Sequence, residues 1–112
     1  MNWKQLDSIS QLDAIELESQ TKPVIIFKHS TSCSISSMAK ARLERQWDLP
    51  EESISAWHLD LIAHRDISNA IATKFHVHHE SPQILYIVKG ECVYDESHMG
   101  ISVKGIKEQL NS

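Results

Sequence analysis

The sequence predicts an α/β domain, a mixed β-sheet with helices against both faces, and three observations carry that prediction. Two apolar runs, Val24-Ile25-Ile26-Phe27 and Ile84-Leu85-Tyr86-Ile87-Val88, lack the polar alternation of half-exposed strands and are rich in β-branched residues. That is the pattern of central strands covered on both faces. Stretches with helical apolar spacing lie between them. Only Lys89-Gly90 joins the second run to the polar stretch after it, and so short a link forces an antiparallel hairpin.

Taken in order, Trp3-Lys4-Gln5-Leu6 reads as a brief edge strand. Ser8 or Ser10 then caps a helix carrying Leu12, Ile15 and Leu17 on its inner side, ended by Thr21-Lys22-Pro23. After the first central strand, Ile35, Met38, Leu43 and Trp47 define a helix that stops at Asp48-Leu49-Pro50. Ser55 to Leu61 alternates as a second strand, and Ile67, Ile71 and Phe75 at i, i+4 spacing mark a third helix with Asp66 near its start. A loop, His76-Val77-His78-His79-Glu80, leads through Ser81-Pro82-Gln83 into the second central strand. Glu91 to Glu96 forms a polar edge strand. Ser102 caps a last helix bearing Val103, Ile106 and Leu110, with Gly105 a weak point in it. The strand–helix–strand unit implies a parallel pair with a right-handed crossover.

At 112 residues, the chain reads as one domain, residues 1–112, large enough for a hydrophobic core without staples. Acidic residues outnumber basic ones by 15 to 11, which argues against nucleic acid as a partner. The longest apolar run falls far short of the roughly 20 residues that span a bilayer, so no membrane partner is expected. No basic region followed by a long apolar stretch opens the chain, and a cytoplasmic location is the expectation. In that compartment Cys33 and Cys92 are expected as free thiols.

The chemistry concentrates after Phe27. A buried strand gives way to Lys28-His29-Ser30-Thr31-Ser32-Cys33-Ser34-Ile35-Ser36, and a helix follows. Backbone N–H groups at a helix start are unpaired and the dipole is positive there, so a cysteine in that place is favoured as thiolate. Ser36 stands where a two-cysteine redox motif would carry its second thiol. Other cysteine chemistries fit poorly. A Cys-x5-Arg phosphatase loop would need arginine where Ala39 stands, and the stretch from Ser30 to Ser37 has no glycine to cradle a phosphate. A Cys-His protease needs a positioned base and a cleft that so small a domain does not readily build. His76, His78 and His79 share one loop, but without paired cysteines or regular spacing no metal site is expected.

These residues resemble the thioredoxin superfamily, in which a central strand ends at a Cys-x-x-Cys or Cys-x-x-Ser helix start and a later loop delivers a cis-proline into an apolar strand. Here the matching segments are Cys33-Ser34-Ile35-Ser36, Ser81-Pro82-Gln83-Ile84 and Lys89-Gly90-Glu91. Within it the chain is most similar to the monothiol bacilliredoxins, small general-stress proteins of the bacillithiol redox system, through Phe27 to Ser36 and Ser81-Pro82-Gln83. One departure is Ser34, where that family commonly has proline.

The resemblance implies a thioredoxin-like fold with a four- or five-stranded mixed sheet flanked by about four helices. It further implies Cys33 as nucleophile, Ser34 and Ser36 as thiolate-stabilising residues, and Ser32, Glu80, Ser81 and Pro82 as the substrate-binding surface. The expected activity is thiol–disulfide exchange that removes bacillithiol from client proteins. No cofactor is bound, and bacillithiol is the redox co-substrate. Resolution falls to bacillithiol or a reductase, because Ser36 cannot attack a mixed disulfide. In this topology six residues from Gln83 to Val88, at about 3.3 Å each, place Cys92 roughly 20 Å from Cys33, beyond the ~7 Å Cα separation a disulfide tolerates. Apart from the resemblance, an acidic Glu80 near the thiol is expected to disfavour anionic partners or to raise the pKa of Cys33, with Lys28 and His29 offsetting it. The competing expectation is a non-catalytic module in which Cys33 senses oxidants or docks a partner.

Overall fold

The computed structural model describes residues 1–111. Five strands form a single sheet in the order β1 (Trp3–Gln5), β3 (Ser55–Asp60), β2 (Val24–His29), β4 (Gln83–Val88) and β5 (Glu91–Ser97). β1 and β2 run parallel to β3, whereas β4 runs antiparallel to β2 and β5. Four helices complete the fold: α1 (Gln11–Glu18), α2 (Ser34–Gln46), α3 (Arg65–Phe75) and α4 (Val103–Leu110). A single 3-10 turn, His98–Gly100, connects β5 towards α4.

Strand alternation divides the core into two layers. Val24, Ile26, Leu85 and Ile87 face α1 and α3, where Leu12, Ile15, Ile67, Ile71 and Phe75 pack on them. Ile25, Phe27, Ile84 and Tyr86 face α2 and α4 and meet Ala39, Leu43, Val103 and Ile106. The unbroken apolar runs are therefore the two strands with a helical layer on each side. Lys89 and Gly90 have φ of 51° and 79°, the left-handed pair that a two-residue hairpin turn requires. Ser19 holds this turn, its carbonyl accepting from the Lys89 N–H at 2.8 Å and its hydroxyl from the Gly90 N–H at 2.9 Å.

Three local expectations are corrected. In α1, Leu17 is 73% exposed while Leu12 and Ile15 are buried. The helix start is secured by Gln11, whose Oε1 accepts from the N–H groups of Asp7 (2.8 Å) and Ser8 (3.0 Å), and the Ser10 side chain makes no capping bond. In α2 the inner face is Ser36, Ala39 and Leu43, and Ile35 and Met38 are 49% and 63% exposed. In α4, Ser102 caps as expected, its hydroxyl accepting from the Gly105 N–H at 3.1 Å. Gly105 also leaves space for the Tyr94 hydroxyl, which a Cβ there would have to displace.

Candidate thiol site

β2 carries the chain to His29, and Ser30 to Ser32 turn it into α2. Cys33 sits at the N-cap of α2 with an extended backbone (φ −106°, ψ 120°). Its N–H donates to the Ser30 carbonyl (3.1 Å), and its own carbonyl accepts from the Ser37 N–H (3.1 Å), the first bond of the helix. The thiol therefore stands where the orphan amides of the first turn gather. Cys33 is partly exposed and is not disulfide-bonded, while Thr31, Ser32, Ser34 and Ile35 around it are exposed.

Ser36 lies one turn further on, completely buried. Its hydroxyl was expected on the sulfur. The structure places it 2.7 Å from His29 Nδ1, and it also accepts from the Ser30 N–H at 3.0 Å. This one side chain ties the end of β2, the turn and the first turn of α2 together. It also explains the phase of α2, since turning Ser36 inwards turns Ile35 and Met38 out to solvent. Ser34, at the first helical position, is exposed.

The second wall of the site is the segment before β4. The Ser81–Pro82 peptide bond is cis, and Pro82 is buried. Lys28 pairs with Gln83, so Pro82 falls one step beyond, level with His29 and the turn into Cys33. The loop is held from within. Gln83, itself buried, donates from Nε2 to the His78 carbonyl (3.0 Å) and accepts from the Glu80 N–H (3.4 Å). From outside, the His98 N–H donates to the Pro82 carbonyl (3.1 Å), and His98 Nε2 lies 4.0 Å from the Glu80 carboxylate. Ser81 Oγ is buried and has no hydrogen-bond partner among the described residues.

Lys28 and His29, expected to act together on the thiol, point to opposite faces of the sheet. Lys28 is fully buried in the α1/α3 layer with its ammonium 3.3 Å from His79 Nδ1, which Ser68 also approaches at 3.3 Å. Burial pushes the Lys28 amine down to about 8, opposed by any negative charge on the Cys92 sulfur. His29 lies in the α2/α4 layer, under the thiol turn. Burial, then Lys40, hold its imidazole below the ordinary histidine range. Among the described residues no group of three or more histidines, cysteines or carboxylates is placed to hold a metal. Cys92 pairs with Ile87, which pairs with Val24 at the start of β2, so the two cysteines stand at opposite ends of the sheet.

Sequence reasoning did not single out Gln83, His58 or the bond between His29 and Ser36. Gln83 reads as an unremarked strand start, and the histidines meet only when β3 is laid beside β2.

A central strand that delivers one half-exposed cysteine to a helix start, beside a buried cis-proline, makes this a thiol redox protein of the thioredoxin fold. The chain belongs to the monothiol bacilliredoxin BrxC family, whose model matches residues 4–106. It is similar at 35% identity to a solved proposed oxidoreductase with a thioredoxin fold (TM-score 0.80, covering 96% of this chain and 92% of that one). The thioredoxin of Malassezia sympodialis shares the fold at 16% identity (TM-score 0.72, covering 98% and 89%). A redox protein from Chlamydomonas reinhardtii does so at 18% identity (TM-score 0.76, covering 97% of this chain and 34% of that one).

Proposed function

We propose that this protein removes bacillithiol from S-bacillithiolated client proteins by mixed-disulfide exchange at Cys33. The Cys33 thiolate attacks the bacillithiol sulfur of the client's mixed disulfide. A new bond joins Cys33 to bacillithiol, the old S–S bond breaks, and the client cysteine leaves as thiolate. A second thiol, from free bacillithiol or a reductase, then attacks the adduct and returns Cys33. One cysteine suffices for each half-reaction.

The observation that carries this reading is the isolation of Cys33: Ser36 fills the resolving position and Cys92 lies at the other end of the sheet. Stable protein disulfides would need an internal second thiol, whereas a small-thiol cap does not. The client would lie across the Ser81–Pro82 edge, its extended backbone facing that of Glu80 and Ser81. Ser32 and Ile35, exposed within two residues of the thiol, would flank it. Ser34 at the first helical position leaves that amide N–H available to a thiolate, which a proline there would remove.

The test is release of a bacillithiolated client followed together with the intact mass of the protein. An adduct on Cys33 is expected, absent in Cys33→Ser, with client release faster than by a free thiol of equal acidity. Equal rates would mean that Cys33 only senses oxidants or docks a partner.

A further inference from the structure

Lys28 and Gln83 are paired across β2 and β4, so their side chains stand together on the α1/α3 face, at the end of the sheet nearest the thiol turn. The other residues that β2 and β4 present on that face, Val24, Ile26, Leu85 and Ile87, are all apolar. These two are polar and as deeply buried, at 0% and 1% exposure. Among the described residues no carboxylate pairs with the Lys28 ammonium. A cation buried in this way costs stability that an apolar side chain of similar length would not. The exchange described above uses neither side chain.

Both reach into the loop that follows α3. Lys28 Nζ lies 3.3 Å from His79 Nδ1. An ammonium can only donate, so this ring nitrogen accepts. Gln83 Nε2 donates to the His78 carbonyl at 3.0 Å, and its Oε1 accepts from the Glu80 N–H at 3.4 Å. Three consecutive residues, His78, His79 and Glu80, are thus each tied to one buried pair. Residues His78 to Ser81 belong to no helix or strand, and among the described residues they make no backbone–backbone hydrogen bond. Their course is set by side chains: the buried pair beneath, Ser68 of α3 on the His79 ring at 3.3 Å, and His98 beside the Glu80 carboxylate at 4.0 Å.

We infer that the buried Lys28–Gln83 pair positions the client-binding edge of this protein. By fixing residues 78 to 80, it sets where the backbone of Glu80 and Ser81 stands relative to Cys33. Lys28 and Gln83 are positioning residues that act through the loop and not on the sulfur. The inference rests on the proposal that a client lies across that edge.

A peptide whose single cysteine is capped as a pyridyl disulfide tests it without bacillithiol. The Cys33 thiolate attacks the peptide sulfur, the peptide becomes joined to Cys33, and thiopyridone leaves and is read by its absorbance. Dithiodipyridine, which has no peptide backbone, reports the thiol alone. The wild-type rate is expected to saturate with peptide. Lys28→Met, Gln83→Met and His79→Ala should each raise the half-saturating peptide concentration by roughly two- to tenfold, with the maximal rate and the dithiodipyridine rate unchanged. His79→Asn, whose amide oxygen can replace Nδ1 as acceptor, should restore the wild-type value. The His79 side chain is exposed, so its variants spare the core. Unchanged half-saturation in all three variants would overturn the inference. So would equal losses with peptide and dithiodipyridine, which would put the effect on the thiol, and so would a wild-type peptide rate that does not saturate. Because the peptide carries no bacillithiol, failure of the proposed function shows separately, as absence of bacillithiol release with this concentration dependence intact.

Discussion

Ser36 occupies the position of a resolving thiol, and its hydroxyl serves two partners, the part-buried Ser30 N–H and the buried His29 Nδ1. Ser36→Ala would leave both unpaired, and an unsatisfied buried donor costs about 1–3 kcal/mol. Urea unfolding should show a loss of that order. Lys28 poses the opposite case, a buried ammonium that meets the His79 ring at 3.3 Å. Its amine sits at about 8 in the folded chain against 10.5 for an ordinary lysine. Between those values the unfolded chain holds a proton that the folded chain has released, so stability should rise with pH across that window. Below about 8 the penalty is fully present, with an upper limit of roughly 3 kcal/mol. Lys28→Met should therefore be more stable than wild type at neutral pH and show a flatter rise above pH 8 in chemical denaturation. A variant less stable at neutral pH would mean that the bond to His79 outweighs the burial of charge.

At the scale of elements, α2 is set by its first turn. Pinning Ser36 inwards fixes which apolar residues of the helix reach the core, and these are Ala39 and Leu43. Leu43→Ala should cost about 2–5 kcal/mol, whereas Met38→Ser should stay within about 0.5 kcal/mol, both read from thermal unfolding. If Met38→Ser slows client release while leaving stability intact, the exposed face of α2 that carries Met38 is a contact surface. In α4, helix propensity favours alanine over glycine by about 1 kcal/mol, yet Gly105→Ala should destabilise because the new Cβ meets the Tyr94 hydroxyl. Combining it with Tyr94→Phe removes that oxygen. A double-mutant cycle should then show positive coupling, and strict additivity would argue against the contact.

Across the whole molecule, the sheet keeps the two thiols apart. Cys33 follows the carboxyl end of β2, and Cys92 pairs with Ile87, opposite the amino end of the same strand. The intervening strand spans five steps of about 3.3 Å, so no backbone adjustment within a packed core brings the two within disulfide range. Diamide oxidation should thus give mixed or intermolecular disulfides through Cys33 and no Cys33–Cys92 peptide within one chain. Recovery of that cross-linked peptide from folded monomer would contradict the fold. The same separation divides labour between the layers: the thiol turn rests on the α2/α4 face, while the buried Lys28 amine lies in the α1/α3 face.

The order of elements, the buried strands and the isolation of Cys33 were legible in the sequence, because they depend on local periodicity and on strand length. Val24 to Phe27 must be covered on both faces, and Lys89-Gly90 must reverse the chain, whatever surrounds them. The faces of α1 and α2 were not legible, since Ile35, Met38 and Leu17 satisfy a helical period as well as the residues that were buried. Only the partners could decide between them. Ser36 turns inwards because His29 and the Ser30 N–H await it, and those come together only when the strand end folds against the helix. Likewise the space beside Gly105 of α4 is filled by Tyr94 of β5, and Lys28 is buried because its strand lies at the centre of the sheet. Local chemistry determined that one cysteine would stand alone at a helix start. Long-range packing decided that its neighbouring serine would face a histidine, because hydrogen-bond partners distant in sequence are set by tertiary register.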